Sequence, residues 1–259
     1  MRLVSFGDLV LDVIVALEAP LVPGDDRPAR TRAGAGGQGA NVAVWAAALG
    51  AESRLVAKRG VDLAARLLGE EIEARGVRLA GPRGGETGVV VSLSSGPERS
   101  LASDRGSAPE LRAGELEPAW FDCEALHLSG YALVAEPIAT AALRAVELAR
   151  ASGALVSVDL SSFTHIDERF RERVRALAPE LVFATERERE RFGGLSARWI
   201  VKRGAAGVRL DGIDHPAAAT ELLDTTGAGD AFAAGYLVGG VGLGLEAAAR
   251  CCATLGSLP

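Results

Sequence analysis

The chain has 259 residues, 48% of them hydrophobic and 24% charged, with a formal net charge of −6. That length and apolar share suit one large α/β domain or two small ones, with a sizeable core, and exclude a disordered chain. The negative balance argues against nucleic acid as a partner. Cys123, Cys251 and Cys252 show no C-x-x-C or Cys/His spacing, which excludes a disulfide framework or a zinc site.

Leu3 to Phe6 is a short apolar run ending in Gly7-Asp8, the pattern of a buried strand that opens into a site. Leu9 to Leu17 reads as a second strand with one acid, Asp12, inside it. Asp8 and Asp12 also make the N-terminus a poor signal peptide. Residues 20 to 32 are rich in Pro, Gly and Asp and end in an Arg/Thr alternation, which predicts a turn and an exposed edge strand. Next, Gly34 to Asn41 reads as a Gly-rich turn leading into an Ala-rich helix from Val42 to Leu49. The uncharged stretch 33–51 is too polar and glycine-rich for a membrane span. A cytoplasmic protein with no membrane partner is expected.

Further along, Arg54 to Ala57 reads as a strand and Asp62 to Arg75 as a helix. Val89 to Leu93 and Arg99 to Ser103 flank Ser94-Ser95-Gly96-Pro97 in a hairpin pattern. Strands are expected at Leu126–Ser129, Leu155–Asp159, Leu181–Ala184, Trp199–Val201 and Gly207–Leu210, with helices at Ile138–Ala151 and Asp167–Leu177. Strands alternating with helices imply a parallel sheet covered on both faces. The early strands and the hairpin lack helical partners and could form a small separate sheet, a candidate lid.

The strongest chemical signal lies at 224–237, where Asp224-Thr225-Thr226-Gly227-Ala228-Gly229-Asp230 runs into a helix of small residues. The first N–H groups of a helix lack intrahelical partners and its dipole makes that end positive. With only Gly and Ala there, a phosphate can reach those donors, and Asp230 places a carboxylate beside them. A capped helix start explains the same residues by itself, with Thr225 or Thr226 as cap.

Two other glycine patterns need weighing. Gly34, Gly36 and Gly39 satisfy a literal G-x-G-x-x-G, but Arg27 to Arg32 is no buried strand and no acid follows at the dinucleotide spacing. No G-x-x-x-x-G-K-[ST] occurs anywhere, which excludes a P-loop NTPase. His127, His165 and His215 fall in unrelated contexts and are given no role.

The order Asp-Thr-Thr-Gly-Ala-Gly-Asp-Ala-Phe-x-Ala-Gly from Asp224 to Gly235, preceded by Gly36-Gly37-Gln38-Gly39-Ala40-Asn41, resembles the two signatures of the ribokinase-like (PfkB) carbohydrate kinases. The resemblance spans nearly the whole chain. It implies a single ribokinase-like domain over 1–259, a three-layer α/β/α fold with a mostly parallel sheet and a β lid from about 10–33 and 87–104. It implies an ATP-dependent phosphotransferase acting on a hydroxyl of a sugar-like molecule. Asp230 would be the base, and Gly227, Ala228 and Gly229 the anion hole. Asp12, Gly37, Asn41 and Arg105 would hold the acceptor. Thr185, Lys202, Gly204 and Gly229 would meet the nucleotide, with Arg203 as an alternative source of charge. Glu188 would hold Mg²⁺ through water, and Asp224 and Thr226 would be candidates for a monovalent cation, K⁺.

The chain also departs from that pattern. Thr185 stands where relatives carry Asn, only about a dozen residues separate Glu188 from Ile200, and the C-terminal stretch 249–257 is abbreviated. Two alternatives follow: a nucleoside kinase of the same fold, with Trp45, Tyr131 or Phe163 stacking a base, or a non-catalytic sugar-binding descendant. The lid strands could also pair two copies into a homodimer.

Overall fold

The computed structural model describes residues 1–95 and 98–259; the expected hairpin turn at Gly96-Pro97 lies outside the described residues. The strands are β1 Arg2–Phe6, β2 Val10–Leu17, β3 Ala29–Gly36, β4 Glu52–Val56, β5 Val77–Ala80, β6 Thr87–Ser95, β7 Glu98–Gly106, β8 Ala125–Ser129, β9 Leu155–Asp159, β10 Leu181–Thr185, β11 Arg198–Lys202, β12 Val208–Leu210 and β13 Ile213–His215. The helices are α1 Gln38–Ala48, α2 Leu63–Ala74, α3 Ile138–Ala151, α4 Glu168–Leu177, α5 Glu186–Phe192 and α6 Ala228–Cys252.

One sheet has the order β13-β12-β11-β10-β9-β8-β1-β4-β5. It is parallel from β5 to β11 and antiparallel only where β12 and β13 meander at one edge. From β1 the chain builds outward through β4 and β5, then returns to the other side of β1 with β8, β9, β10 and β11. The order therefore reverses between β1 and β8, and in such sheets ligands bind outside the carboxyl ends of the strands at this point.

The strand period of two decides what each face carries. Val4, Phe6, Leu126, Leu128, Val156, Val158, Val182 and Ala184 point into one core with α3, α4 and α5. Leu3, Leu181 and Phe183 point the other way, against α1 and α6. On that second face the middle strands turn polar: His127, Ser129, Ser157 and Asp159 are all buried. A fully buried parallel strand is normally continuous apolar sequence, so this polar stripe marks the sheet beneath a site.

A second sheet, in the order β3-β2-β6-β7, stands over the carboxyl end of the first. β2 pairs β6 in parallel, while β2–β3 and β6–β7 are antiparallel. Its cross-strand register puts Asp12 beside Val90 and Val90 beside Ser103, so one face presents these residues together.

The sequence reading differs from the structure in a few elements. The Gly-rich stretch is no turn before Val42. Gly34 and Gly36 end β3, and α1 starts at Gln38. β5 and β13 were not expected; they are short edge strands of three or four residues whose sequences carry little alternation. Around Glu188 the chain forms only the seven-residue α5, Glu186–Phe192, before β11 begins at Arg198.

α6 is long and apolar enough by composition to span a bilayer, but it is not one straight rod. Gly239 and Gly240 leave helical φ/ψ. The second half folds back so that a Cβ at Gly235 would lie 2.7 Å from the Gly244 Cα, and one at Gly244 would lie 2.9 Å from the Phe232 ring. Glycine at both positions is what lets the halves touch. Gly244→Val should therefore lower stability by about 1–3 kcal/mol, the usual cost of overpacking, measured by urea unfolding, with Gly242→Ala as a control where a Cβ meets open space.

Candidate active site

Between the two sheets lies a cleft of about 240 Å³. It is lined from the first sheet and its helices by Asp8, Gly37, Gln38, Asn41, Tyr131, Ser161, Thr226, Gly227 and Asp230. The lid contributes Val10, Asp12, Ile14, Val90, Ser92, Leu101, Ser103 and Arg105. Asp12, Gly37, Asn41, Arg105, Gly227 and Asp230, drawn from four separate parts of the sequence, thus meet in one place.

Glycines set the close approaches. A Cβ at Gly36 would sit 2.1 Å from the Asp12 carboxyl carbon, so the backbone of β3 lies directly against that carboxylate. Gly37 caps α1 with φ +95°, and a Cβ there would meet the Asp8 carbonyl at 2.6 Å. Together these bring the first turn of α1 onto the end of β1.

Asp230 sits in the first turn of α6, where Gly227 at φ +77° reverses the chain. Asn41 Nδ2 donates to its Oδ2 at 2.7 Å. Burial pushes its carboxyl up to about 6, partly offset by hydrogen bonds from Asn41 and Gln38 and by the Lys202 charge, and reinforced by Asp159. Asp230 is therefore a markedly stronger base than the ordinary aspartate the sequence suggests.

Behind Asp230, the Lys202 ammonium bonds the Asp159 carboxylate. Burial alone would lower the lysine's pKa, but the Asp159 charge and hydrogen bond, with Glu188 and Asp230 beyond, raise it on balance. Lys202 stays protonated. A Cβ at Gly229 would come within 3.3 Å of Nζ, so the missing side chain is what seats this ammonium against the start of α6. Of the three residues assigned to the anion hole, Ala228 already donates its N–H to the Thr225 carbonyl at 3.3 Å.

Arg105 reaches from β7 to grip Asp8, with Nε and one terminal nitrogen 2.6 and 2.8 Å from its two carboxylate oxygens. The pair is largely buried and ties the lid to the end of β1. Asp8 is thus a cleft residue that the reading of 224–237 and Asp12 passed over, although it stands in the Gly7-Asp8 strand ending. Gln38, Asp159 and Ser161 were missed too, while Tyr131, named only as a base-stacking candidate, does line the cleft; Asp159 carried a usable signal, an acid at the carboxyl end of an apolar strand.

Thr185, Glu188, Gly204 and Asp224 lie outside the cleft lining. Thr185 and Glu188 form a capping box on α5: Glu188 accepts the Thr185 N–H at 2.7 Å and donates its own N–H to Thr185 Oγ1 at 3.3 Å. Thr185 and Lys202 are register partners at the ends of β10 and β11, so both lie on the carboxyl edge of the sheet. Gly204 turns at φ +57° with open space where a Cβ would be. Arg203 is not a spare cation for phosphates, since it bridges Glu186 at 2.8 Å and Asp214 at 3.0 Å. Asp224 accepts from Thr226 N and Oγ1 at 2.9 and 2.6 Å and from Gly256 N at 3.0 Å, fastening the C-terminal segment below the start of α6. Trp45 cannot stack a base: it is buried in the core and donates Nε1 to the Ser257 carbonyl at 2.8 Å.

The family model for pfkB family carbohydrate kinases matches residues 1–258. The chain belongs to the pfkB family of carbohydrate kinases. It is 34% identical over 234 residues to a fructokinase of Klebsiella pneumoniae, covering 79% of this chain and 76% of that one. Among solved structures it resembles an adenosine kinase from Sinorhizobium meliloti, with TM-score 0.85 and 23% identity over 100% of this chain and 95% of the other. It also resembles an uncharacterized sugar kinase from Pyrococcus horikoshii in complex with ATP, with TM-score 0.84 and 23% identity over 98% and 93% of the two chains. A kinase of this family transfers phosphoryl groups from ATP to sugars, and the ribokinase-like fold expected from the sequence is the fold observed.

Two predictions follow from the geometry. Gly36→Ala should displace the Asp12 carboxylate and raise the acceptor KM roughly tenfold or more, as a 1.4 kcal/mol loss would, with a smaller change in kcat; steady-state kinetics reads both. Asp230 has a folded pKa above its unfolded value, so its charge weakens the folded state once pH rises through about 4 to 6. Asp230→Asn should then be the more stable protein at pH 7.5, by up to ~3 kcal/mol at 1.4 kcal/mol per pH unit, and the gap should close below pH 4 in thermal unfolding.

Proposed function

We propose that this carbohydrate kinase phosphorylates a neutral sugar, with Asp230 as general base and the start of α6 as the phosphate site. The observation that carries the reading is one half-buried carboxylate, held by Asn41 at 2.7 Å, that faces a lid-covered cleft and begins a helix. A base with a pKa near 6 is ionised at neutral pH and basic enough to take a hydroxyl proton as the phosphoryl group arrives. The N–H groups of Gly227 and Gly229, the helix dipole and the Lys202 ammonium stabilise charge on the transferring group.

Acceptor recognition falls to Asp12 and Asn41, with Gly37 allowing close approach. A carboxylate can accept two hydroxyl hydrogen bonds, which suits a polyol. Arg105 is the only cation among the described residues lining the cleft, and its guanidinium is committed to Asp8. Asp8, Asp12 and Asp230 leave the cleft net negative, which disfavours sugar acids and sugar phosphates. The fructokinase relatives make D-fructose the first acceptor to test. Closure by the Arg105–Asp8 pair excludes water that would compete as nucleophile.

On the nucleotide side, Thr185, Lys202, Gly204 and Gly229 would meet ATP. Glu188 fits a through-water role toward Mg²⁺: one carboxylate oxygen serves the α5 cap, while its charge is felt at Lys202 and Tyr131. Mg²⁺ bound with ATP would neutralise charge on the phosphates. Asp224 and Thr226 are the corresponding candidates for K⁺, and the outer lid strands β3 and β7 for pairing between two copies.

The second reading, a nucleoside kinase, has the adenosine kinase neighbour in its favour but loses Trp45 as a stacking residue. A coupled ADP-release assay across neutral sugars, sugar acids, inositols and nucleosides decides the acceptor class, with turnover expected for a neutral sugar. Asp230→Asn should lower kcat by roughly 10²–10⁴-fold while the protein stays folded; an active variant would sink the assignment. The acid limb of the kcat/KM profile should fall off near pH 6.

A further inference from the structure

Two side-chain amides from the first turn of α1 approach Asp230. Asn41 donates through Nδ2 at 2.7 Å, and the Gln38 side chain lies close enough to help hold the carboxyl's pKa down. An amide can turn over and present its oxygen instead, which would repel the carboxylate, so something must fix each one. In both cases hydroxyl groups do so. Ser257 Oγ donates to Asn41 Oδ1 at 3.0 Å, which leaves Nδ2 facing Asp230. Ser129 Oγ and Ser161 Oγ both donate to Gln38 Oε1, which leaves Nε2 for the carboxylate.

Ser257 is itself locked from several sides. It is buried, its carbonyl accepts from Trp45 Nε1 at 2.8 Å, and its Cβ lies 2.5 Å from where a Cβ on Gly227 would be. The flanking residues are held as well: Arg32 Nη1 donates to the Leu255 carbonyl at 2.6 Å, and Arg75 Nη1 to the Pro259 carbonyl at 2.7 Å. Arg32 lies on lid strand β3 and Arg75 at the end of α2. The last five residues of the chain are thus fastened to the lid, to α2 and to the core at once, and the one side chain they aim at the site is a hydroxyl on Asn41.

We propose that Gln38, Asn41 and Ser257 are positioning residues for Asp230, and that the C-terminal segment, through Ser257 and Asn41, is part of the apparatus that orients the base. This rests on the reading of Asp230 as the base. Asn41 then has a task besides the acceptor, and Gln38, which was assigned none, has one of its own. Orientation matters because a base displaced by a fraction of an ångström misses the hydroxyl proton.

The test uses the Asp230 carboxyl carbon, followed by NMR titration of protein labelled with ¹³C-aspartate and identified by its loss in Asp230→Asn. No acceptor or nucleotide is needed. The other charged or titratable groups facing Asp230 are Asp159 on β9, Lys202 on β11, Tyr131 after β8 and Cys251 within α6; none is altered in the variants. Removing a donor to the charged form should raise the midpoint in Gln38→Met and in Ser257→Ala, by about 0.5 pH unit or more. The Ser257→Ala shift should vanish when Asn41→Ala is already present, because Ser257 acts through Asn41. Midpoints unchanged in both single variants, or a Ser257→Ala shift that persists beside Asn41→Ala, would overturn the proposal. Should Asn41→Ala not fold, Ser257→Ala and Gln38→Met still decide by whether the midpoint moves. The base assignment fails separately, through an active Asp230→Asn, whatever the titrations show.

Discussion

Taking a carboxylate even partly out of water is costly unless partners compensate, and Asp230, half-buried at the cleft, is the group around which this molecule meets that cost. Its place in the first turn of α6 supplies a favourable dipole, Asn41 and Gln38 supply donors, and Lys202 supplies a nearby positive charge. The offset is partial, and the residue is left with a pKa near 6. On the proposed reading of Asp230 as the base, that incomplete compensation is what makes it a stronger one. Stability and chemistry pull in opposite directions at this atom.

Much of the surrounding sequence follows from getting α1 close enough to serve Asp230. Gly37 at φ +95° starts α1 directly over the Asp8 carbonyl, and a Cβ at Gly39 would lie 2.8 Å from the Gly7 Cα. β1 and α1 therefore meet backbone to backbone, and Ser5 seals the contact by donating to the Gly39 carbonyl at 2.8 Å. The polar stripe on the sheet below carries out the matching task. Ser129 orients Gln38, Asp159 holds Lys202, and His127 bonds Ser157 while burial keeps its pKa down to about 4 and the ring neutral. The cleft lies at the reversal of strand order between β1 and β8, and the lid crosses above it with Arg105 tied to Asp8.

The parts of the fold that were readable in the sequence are those with strong local signals. Ile138–Ala151 shows helical spacing of buried alanines and apolar residues, and the structure forms α3 over those same residues. Leu155–Asp159 is bounded by a Gly turn and a buried acid and is β9. The edge strand β13 went unread because its three residues, Ile213-Asp214-His215, hold one apolar side chain and no apolar run. The Gly-rich stretch misled because glycine permits both strand and turn. Its second half became helix where Gly39 packs on Gly7 and Ser5 and the Asp8 carbonyl accepts the Ala40 N–H at 3.2 Å.

By itself the sequence determined the chemistry on offer: an acid beside an uncluttered helix start, a second glycine-flanked Asn, and an acid inside an early strand. Those are local patterns, and spacing along the chain is enough to reveal them. Only the tertiary structure decided what each group faces. It showed that Asp230 is half-buried at the cleft, that Lys202 belongs to Asp159, that Arg105 belongs to Asp8 and that Arg203 belongs to Glu186 and Asp214. It also brought Ser257 against Asn41, 216 residues away in the chain. Burial and pairing depend on contacts between distant segments, and no local pattern encodes them.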